Sequence, residues 1–420
     1  MNIGIVTTWF ERGGAYVSLA YKKLLETQHD VYIYARGGED YAINNLDWDS
    51  QKVTWGKKID LPVPTPIDCQ DFKIWIEKNN IEVIFFNEQH YWKPVLLCND
   101  LNIICGAYID YYTEETIPFF KNYDFLICNT QRHYSAFNWH PHCYYIPWGT
   151  DIKLFHPKSF EAVEENVVTF FHSSGYDPFR KGTDFVIKAF SQLRGNTKLI
   201  VHSQKSLKEC FNEIKELIVK LESNGTLICI EKTISAPGLY CLGDIYVYPS
   251  RLDGIGLSMC ESLASGLPII VSNNPPMNEF VSTDNGKLIE ITRLFTRIDA
   301  YYWPQCLVDC DHLAKLMQEY VNDNKNIPLY KQKAREYAEK HLNWLDRQEE
   351  ILNIFSNAIK IPLIEKIDDY NKAKNYDLSR IGRLRYKLIE KHPFLYSYLK
   401  KLQYSMIRFL DIMIFERHNS

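Results

Sequence analysis

Several patterns are missing from this chain, and each absence excludes a class of protein. The 420 residues contain no run of eighteen apolar residues, which a membrane-spanning helix would need. They also contain no low-complexity tract and no sequence repeat beyond an alternation of strands and helices. The formal net charge is only −4, which argues against nucleic acid binding through bulk electrostatics. With 46% hydrophobic and 24% charged residues, the composition predicts a globular protein.

The cysteines lack the spacing of a disulfide framework or a zinc site. Eleven occur singly, and the N-terminus has no signal-peptide pattern, so we expect reduced thiols and a cytoplasmic location. Cys306, Cys310 and His312 lie close in sequence, but they form no Cys-x-x-Cys pair and no second pair follows. We therefore predict no metal site and no metal cofactor.

Length and periodicity predict two α/β domains. The chain exceeds one ordinary hydrophobic core, and the strand–helix alternation stops at Tyr144–Pro157 before it restarts. Such alternation is typical of parallel sheets covered on both faces. We predict two doubly wound, Rossmann-like domains that face each other across a cleft. The predicted boundaries are 1–147 and 148–328 for the domains, 329–360 for a helical segment and 361–420 for a basic amphipathic tail.

The individual elements follow from apolar periodicity. Strands are predicted at Asn2–Thr7, Val31–Ala35, Glu82–Phe86, Ile103–Ala107, Phe125–Asn129, Val167–Phe171, Lys198–His202, Leu227–Ile230, Asp244–Tyr248 and Pro268–Val271. Helices are predicted at Ala15–Glu26, Gly182–Leu193, Leu207–Leu221 and Gly256–Ser265, and a helical segment at Leu329–Phe355. The last segment carries an apolar face formed by Tyr330, Ala334, Tyr337, Ala338, Leu342 and Leu345. Ligands of such sheets bind at the carboxyl ends of the strands, so we expect a site in the cleft.

Residues 244–271 are the most informative stretch, because they place two acids around a glycine-bearing loop. Asp253 falls in the loop, and Glu261 falls two turns along the following helix. The free N–H groups of the helix start face the loop, where glycines allow close approach to a diphosphate. This layout suits a nucleotide sugar, with phosphates between sugar and ribose. The alternative is a turn residue at Asp253 and a solvated helix face at Glu261.

With these residues, the chain resembles the retaining glycosyltransferases of the GT-B fold that carry a Glu-x7-Glu motif, known as glycosyl transferases group 1 or family 4. The motif stands here as Asp253-x7-Glu261, so that its first side chain is one methylene group shorter. The resemblance implies that the first acid contacts the donor sugar and that the second holds the ribose hydroxyls. It also assigns donor binding to the intervening loop residues Gly254, Ile255, Gly256 and Leu257.

A second segment, residues 170–185, resembles the Gly-Arg-x(n)-Lys-Gly segment of that family. The match implies that Lys181 neutralises the donor diphosphate, with Arg180 beside it. A cation is needed because a leaving diphosphate gains negative charge and no metal is usual in this fold. Ser173, Ser174 and Gly175 stand where the family has an arginine, so either Arg180 substitutes for it or phosphate binding is weaker. The alternative is a solvated cation pair before a helix.

Three further segments extend the resemblance over residues 1–355. Gly13 and Gly14, in residues 11–15, resemble the N-terminal Gly-Gly loop and are candidate donor-binding residues, although such a pair is also common in ordinary turns. The neighbouring Arg12 either contacts acceptor or phosphate or is a surface charge. Residues 148–157 resemble the interdomain segment, and residues 334–344 resemble the closing helix that returns to the N-terminal domain. The resemblance thus implies an N-terminal acceptor domain and a C-terminal nucleotide-sugar domain.

The catalytic group of the first domain is less defined by sequence. Many relatives place a histidine after a mid-domain strand, where this chain has Ile109 followed by Asp110. Asp110 and His90 are the candidates, although a lone histidine at a strand end is more often structural. No strong base is needed if the departing phosphate itself takes the acceptor proton. We therefore name Lys181, Asp253, Glu261, His90 and Asp110 as the candidate catalytic residues.

The tail combines positive charge with aromatic residues. Between Leu378 and Leu410 lie eight Lys or Arg residues and one acid, Glu390, while Pro393 would split a helix in two. The pattern suits a helix lying in an anionic membrane interface, on the inner face of the membrane. The alternative is an amphipathic pair packed on the protein or on a second subunit.

Taken together, these patterns predict a glycosyltransferase that moves a hexose from a nucleotide sugar to a glycan or lipid-linked acceptor with retention. The resemblance and the tail favour cell-surface polysaccharide or lipopolysaccharide assembly. The partners expected are the nucleotide sugar, the acceptor and an anionic membrane, and not nucleic acid. The main rival is a catalytically silent GT-B binding or scaffold subunit, which the missing arginine, the missing histidine and Asp253 favour. A GT-B epimerase or phosphorylase is the third reading.

Overall fold

The computed structural model describes residues 1–37, 41–59, 61, 63–158 and 167–376. Its strands are β1 (Asn2–Thr7), β2 (Asp30–Ala35), β3 (Val53–Trp55), β4 (Val83–Asn87), β5 (Ile104–Tyr108), β6 (Phe125–Cys128), β7 (Cys143–Tyr145), β8 (Val168–Gly175), β9 (Thr197–Ser203), β10 (Leu227–Glu231), β11 (Ile245–Tyr248), β12 (Ile269–Ser272), β13 (Gly286–Ile289), β14 (Ile291–Phe295) and β15 (Gln305–Val308). Its α-helices are α1 (Gly13–Leu25), α2 (Cys69–Lys78), α3 (Lys93–Asp100), α4 (Gln131–Phe137), α5 (Thr183–Phe190), α6 (Leu207–Cys210), α7 (Lys215–Ser223), α8 (Leu257–Ala264), α9 (Cys310–Asn322), α10 (Ile327–His341), α11 (Gln348–Ser356) and α12 (Ile367–Tyr376).

Two parallel sheets form the two lobes of the molecule. The first lobe has seven strands in the order β3-β2-β1-β4-β5-β6-β7, and the second has six in the order β10-β9-β8-β11-β12-β13. All strand pairs within these two sheets are parallel. Their central strands are continuous apolar runs, such as Val83–Asn87 and Ile245–Tyr248, and they are buried on both faces, as parallel sheets require. The predicted doubly wound α/β fold class is therefore confirmed.

The structure adds elements that the periodicity did not predict. β3 and β7 are three-residue strands at the two edges of the first sheet, and their residues are only half-buried. β13 closes the edge of the second sheet, and β14 and β15 form an antiparallel hairpin. Short or half-exposed strands carry little apolar periodicity, which is why the sequence did not reveal them.

Two helix predictions were wrong in their extent. The helix expected over 207–221 is broken between α6 and α7, because Phe211 leaves the helical conformation and buries its side chain in the core. The helical segment expected over 329–355 is divided between α10 and α11 by a 3₁₀ turn at Trp344–Arg347. Leu345, which we placed on the apolar face, is therefore 51% exposed.

The chain crosses between the lobes twice. Thr150 pairs with Asn343 at the crossing, and the Trp344 indole N–H donates to the Ala20 carbonyl oxygen of the first lobe. Beyond it, the ring of Phe355 on α11 packs edge-on against Phe85 in the first sheet, with centroids 5.2 Å apart. The last described helices thus pack on the first lobe.

A buried ion cluster fixes this returning segment. Asp124 is 1% exposed, and its carboxylate accepts hydrogen bonds from Lys360 Nζ and Lys366 Nζ, each at 2.9 Å. The backbone N–H of Ile361 donates to the same carboxylate at 3.0 Å. A buried carboxylate needs such partners, since burial without them is costly. The cluster therefore ties residues 360–366 to the strand that begins at Phe125.

Among the described residues, no helix has both the length and the apolar character to cross a membrane. The amphipathic tail predicted over 378–410 lies outside the described residues. Membrane association through this segment stays a prediction, as do the domain boundaries at 147/148, 328/329 and 360/361.

Candidate active site

The site lies where the strand order of each sheet reverses. In the second lobe the reversal falls between β8 and β11, and the loops after these strands carry Lys181 and Asp253. In the first lobe it falls between β1 and β4, and Gly13 and Glu88 follow these strands. Crevices outside the carboxyl ends of strands at such reversals are the usual ligand sites of open α/β sheets. Lys181, Asp253 and Gly13 thus lie near reversal points, whereas Asp110 follows β5, one strand further along the first sheet.

Lys181, Asp253 and Tyr248 form one hydrogen-bonded group. Lys181 Nζ donates to Asp253 Oδ2 at 2.5 Å and also to the hydroxyl of Tyr248, which in turn donates to Asp253 Oδ2. The side chains of Lys181 and Asp253 are 15% and 12% exposed. Burial alone would raise the pKa of Asp253, but Lys181 and Arg180 outweigh it and hold the pKa well below its usual range. The group is thus a charged pair at the wall of the cleft.

Burial lowers the pKa of Lys181 to about 8, and the neighbouring Arg180 adds to this effect while Asp253 opposes it. A cation in this state is poorly solvated, so a further anion beside it would stabilise its charge. The arrangement is therefore suited to bind a diphosphate.

Arg180 joins the same group from the more exposed side. Its Nη1 lies 3.5 Å from Asp253 Oδ2 and donates to the carbonyl oxygen of Leu252 at 2.9 Å. Ser173 and Ser174, which stand in the region of the unmatched family arginine, are both hydrogen-bonded to His202. Arg180 is therefore positioned to supply the second positive charge that those serines cannot.

A salt bridge behind the site joins its two loops. Arg251, two residues before Asp253, donates through Nη1 and Nη2 to the two carboxylate oxygens of Asp184, each at 2.8 Å. Asp184 is in the first turn of α5, three residues after Lys181. Both side chains are buried, and a bidentate geometry of this kind restrains orientation as well as distance. The pair therefore fixes the separation between the loops that carry Lys181 and Asp253.

Glu261 lies on α8 and faces Tyr240. Its Oε2 accepts a hydrogen bond from the Tyr240 hydroxyl at 2.5 Å. Burial raises the pKa of Glu261, although Tyr240 and Lys181 both act to lower it. Gly256 precedes the helix at φ +83°, a left-handed conformation that favours glycine. The helix can therefore start directly at the loop, with its first N–H groups towards the cleft.

Asp110 reaches this loop from the first lobe. A Cβ atom on Gly254 would stand 2.4 Å from Asp110 Oδ1, so a larger residue there would displace the Asp110 carboxylate. Burial raises the pKa of Asp110 to about 7, and the neighbouring carboxylates Glu88 and Asp253 add to the effect. Asp110 can therefore hold or release a proton near neutral pH.

His90 lies beside the cleft, but its contacts are with residues outside the Lys181–Asp253 group. Its ring stacks on Tyr111 with centroids 4.5 Å apart, and its backbone N–H donates to Thr65 Oγ1. Burial, with the nearby Arg36, lowers the pKa of His90 to about 3, so the ring is neutral. The structure thus brings Lys181, Arg180, Asp253 and Asp110 together, whereas the described contacts of His90 lie apart from that group.

The glycines of the first lobe face the same cleft. A Cβ on Gly13 would lie 3.8 Å from Leu257 Cδ1 of the second lobe, and one on Gly14 would lie 3.0 Å from Glu88 Oε2. The start of α1 therefore closely approaches Leu257 in the loop and helix start after Asp253, and it does so beside the carboxylate of Glu88. Ile255, in the middle of that loop, is buried.

Sequence reasoning missed several residues of the site. Tyr248 and Tyr240 received no role, although Tyr248 ends the strand that opens into the loop, and that position was a usable signal. Glu88 also received no role; its φ of +53° is uncommon outside glycine and asparagine. No sequence signal links Tyr240 to Glu261, because they lie on separate elements.

Within the described residues, no group of three or more His, Cys, Asp or Glu side chains is arranged to hold a metal ion. Cys306 Sγ contacts the Ser250 carbonyl oxygen and Cys310 Sγ that of Phe185, while His312 Nδ1 accepts from the Glu290 N–H. These three side chains thus serve separate local hydrogen bonds.

Comparison with known proteins gives partial sequence matches. Residues 166–299 match the family model described as glycosyl transferases group 1. A probable sucrose-phosphate synthase of Thermosipho melanesiensis is 28% identical over 148 residues, which cover 34% of this chain and 34% of that protein. The lipopolysaccharide core biosynthesis mannosyltransferase LpsB of Rhizobium meliloti is 25% identical over 176 residues, which cover 36% of this chain and 47% of that protein. The match thus spans less than half the length of either curated relative.

Solved structures match over most of the chain. Anabaena Alr3699/HepE, solved in complex with UDP-glucose, superposes with a TM-score of 0.65 and 14% identity, over 85% of this chain and 99% of that one. At such identity the likeness establishes the fold. The protein therefore has the GT-B fold, and its residues 166–299 match the glycosyl transferases group 1 family.

Proposed function

We propose that this protein is a glycosyltransferase that moves a hexose from a nucleotide-sugar donor to a glycan or lipid-linked acceptor with retention of configuration. The observation that carries the proposal is the Lys181–Asp253 pair at the strand-order reversal of the second sheet, inside the segment that matches the glycosyltransferase family. A cation next to an acid at that place suits an anionic leaving group next to a sugar.

Each side chain has a distinct role in the proposal. Lys181, with Arg180, stabilises the charge that develops on the leaving diphosphate. Asp253 contacts the hydroxyls of the donor sugar, and Glu261 holds the ribose. The N–H groups of Gly254–Leu257, at the start of α8, face the phosphates, and Gly13 and Gly14 allow the first lobe to approach them. The protein needs no metal in this scheme, because these groups supply the positive potential.

The first lobe supplies the acceptor side. Asp110 of that lobe lies against Gly254 of the loop that carries Asp253. With a pKa of about 7, it can accept a hydrogen bond from the attacking hydroxyl or donate one to the sugar. The departing phosphate takes the proton of that hydroxyl, so retention needs no strong base. His90, which is neutral and stacked on Tyr111, shapes the wall of the cleft.

Two of the similar proteins support the donor and the pathway. HepE was solved with UDP-glucose, and LpsB is a mannosyltransferase of lipopolysaccharide core biosynthesis. A uridine diphosphate sugar as donor and a cell-surface polysaccharide or lipopolysaccharide as acceptor follow as proposals. The basic sequence of residues 378–410 supports a peripheral position on the inner face of the membrane.

Ligand-dependent thermal stability followed by turnover tests the proposal. UDP, GDP and ADP, and then their sugar derivatives, are added to the full-length protein, because specific ligands raise the melting temperature by mass action. We expect Lys181→Ala and Glu261→Ala each to lower kcat/KM by about 10²- to 10³-fold, since each removes a charged contact to the transition state. Lys333→Ala, which alters an exposed lysine on α10, is the control. Near-normal turnover in both site variants would overturn the assignment.

One observation favours a second candidate, a silent binding subunit. Ser173 and Ser174 replace the family arginine region, and both are engaged with His202. A subunit of this kind would bind nucleoside diphosphates through Lys181 without consuming any nucleotide sugar. Stabilisation by a diphosphate without release of sugar, in the presence of varied acceptors, would favour this candidate over the enzyme.

A further inference from the structure

Helix α4 of the first lobe touches the donor loop of the second lobe through its first residues. Arg132 is 5% exposed, and its guanidinium donates to the carbonyl oxygens of Asp253 and Pro275, each at 2.5 Å. His133 Nε2 lies 3.2 Å from the carbonyl oxygen of Gly254. Two consecutive residues of one lobe thus hold two consecutive carbonyl groups of the other.

A carboxylate of the second lobe holds α4 in return. Glu279 accepts hydrogen bonds from the backbone N–H groups of Gln131 and Arg132, at 2.6 and 2.9 Å. Glu279 lies in the turn Met277–Phe280, directly after Pro275. The contact is therefore reciprocal: the second lobe fixes the backbone from which Arg132 extends, and Arg132 fixes the loop that carries Asp253.

Residues of the hairpin complete the surroundings of Arg132. Its guanidinium lies over the Trp303 ring, 5.5 Å from the centroid, and the Trp303 indole N–H donates to the Tyr112 hydroxyl. The same Tyr112 hydroxyl lies 2.9 Å from His133 Nδ1. Tyr112 thus anchors His133 within the first lobe, whereas Trp303 reaches Arg132 from the hairpin of the second lobe.

The position of Asp253 therefore depends on both lobes. Its carboxylate is bound by Lys181 within the second lobe, and its carbonyl oxygen is bound by Arg132 from the first lobe. Separation of the lobes would release the carbonyl oxygens of Asp253 and Gly254 while leaving Lys181 in place. Lys181 could then still bind the diphosphate, but the backbone of Asp253 would no longer be restrained.

We infer that Arg132 is a positioning residue that couples closure of the two lobes to the placement of Asp253 in the donor site. It touches no reacting atom and acts through the backbone of the donor loop. The inference rests on the proposed function, because the placement of Asp253 matters only if that residue contacts a donor. A misplacement of about 1 Å in such a residue costs about 100-fold in rate.

The test compares Arg132→Ala with Arg335→Ala. Arg335 also joins distant backbone segments, since its Nη1 donates to the carbonyl oxygens of Ile152, Phe155 and Ala264, but it lies away from the donor loop. For Arg132→Ala we expect kcat to fall by about 10- to 100-fold. Its donor KM and its affinity for UDP should change by less than about threefold, because Lys181 and Glu261 still bind the nucleotide. Arg335→Ala should lower the melting temperature and leave kcat unchanged.

Two further readouts separate positioning from structural support. Guanidinium ion at a non-denaturing concentration should partly restore kcat of Arg132→Ala and have no such effect on Arg335→Ala. Amide hydrogen exchange of residues 251–257 should accelerate in Arg132→Ala alone. An unchanged kcat with unchanged exchange in that segment would overturn the inference.

Failure of the inference and failure of the proposed function give different results. A wild-type protein that neither binds nucleoside diphosphates nor consumes any donor contradicts the proposed function. Exchange of residues 251–257 still decides whether Arg132 places the loop, because that measurement needs no substrate.

Discussion

Two ion clusters in this molecule each place two cations on one carboxylate, yet they satisfy their lysines differently. In the cluster that holds the returning segment, Lys360 donates to Asn99 Oδ1, to the Ile103 carbonyl oxygen and to Asp124. These three hydrogen bonds use all three N–H groups of Lys360. In the cleft, Lys181 donates to Asp253 and Tyr248. A lysine has three donors, so within the described part of the chain Lys181 keeps one donor for a ligand.

The pKa values of Lys360 and Lys181 are shifted in opposite directions from the ordinary value of a lysine. Burial acts to lower the pKa of Lys360, but Cys105 and Asp124 outweigh it, and the pKa is raised. For Lys181, burial and Arg180 prevail, and the pKa is lowered to about 8. The comparison teaches that a cluster with complete partners stabilises the fold, whereas one with incomplete partners keeps part of its electrostatic potential for an incoming anion.

The largest effect on stability should come from Asp124→Asn. This change leaves Lys360 and Lys366 without their carboxylate in a buried place, so we expect the free energy of unfolding to fall by about 3–5 kcal/mol. Urea unfolding followed by circular dichroism measures it. Asp284→Asn removes an exposed partner of Lys333 and serves as the matched control, for which we expect no measurable change. A loss equal to that of the control would mean that the buried cluster is not structural.

Lys181→Met should lower activity strongly and stability little, the reverse of Asp124→Asn. We expect kcat/KM for the donor to fall by about 10²- to 10³-fold, because the diphosphate loses its principal cation. The free energy of unfolding should change by about 1 kcal/mol or less, since Arg180 remains within 3.5 Å of Asp253. Steady-state kinetics and urea unfolding on the same preparation test both parts. Loss of stability without loss of activity would place Lys181 with Lys360 as a structural lysine.

The smallest expected effect is a change of kcat/KM with pH, which further distinguishes Lys181 from Lys360. In the proposed function the protonated amine of Lys181 binds the diphosphate, and the population of that protonated form falls as the pH rises through the Lys181 pKa of about 8. We therefore expect kcat/KM to decline above that pH, to about one tenth at one pH unit higher. Lys181→Arg should shift the decline to much higher pH, since arginine stays charged. An unchanged alkaline limb in Lys181→Arg would assign the titration to another group.

The sequence predicted the parts of the site that depend on local spacing. Asp253 and Glu261 follow one buried strand within a single loop and helix, so their spacing singled them out, whereas Lys181, two residues before α5, was named from the resemblance of its segment to the family. Their partners Tyr240 and Arg132 lie on other elements, and their roles arise only when the strands take their order in the sheets. Asp110 was named as the nearest polar group to Ile109, but its contact with Gly254 spans the two lobes and has no local signature.

Sequence patterns predicted the central strands of the fold but not its antiparallel hairpin. Central strands such as β1, β4 and β11 are continuous apolar runs, and the sequence placed them within a residue or two. The β14–β15 hairpin was missed because its exposed faces carry residues such as Leu294 and Tyr302, which are 53% and 41% exposed. Packing against the first lobe, as in the hydrogen bond from Tyr301 to the Asp110 carbonyl oxygen, holds this hairpin in place, and periodicity does not report such contacts.

The double crossing of the chain at Thr150 and Asn343 restricts how this protein can be recombined with its relatives. Since α11 belongs to the first lobe, the second lobe is an internal segment of the chain and not a terminal module. A functional chimera would need two splice points, one near each crossing, whereas a single-junction fusion would leave Phe85 facing a foreign helix in place of Phe355.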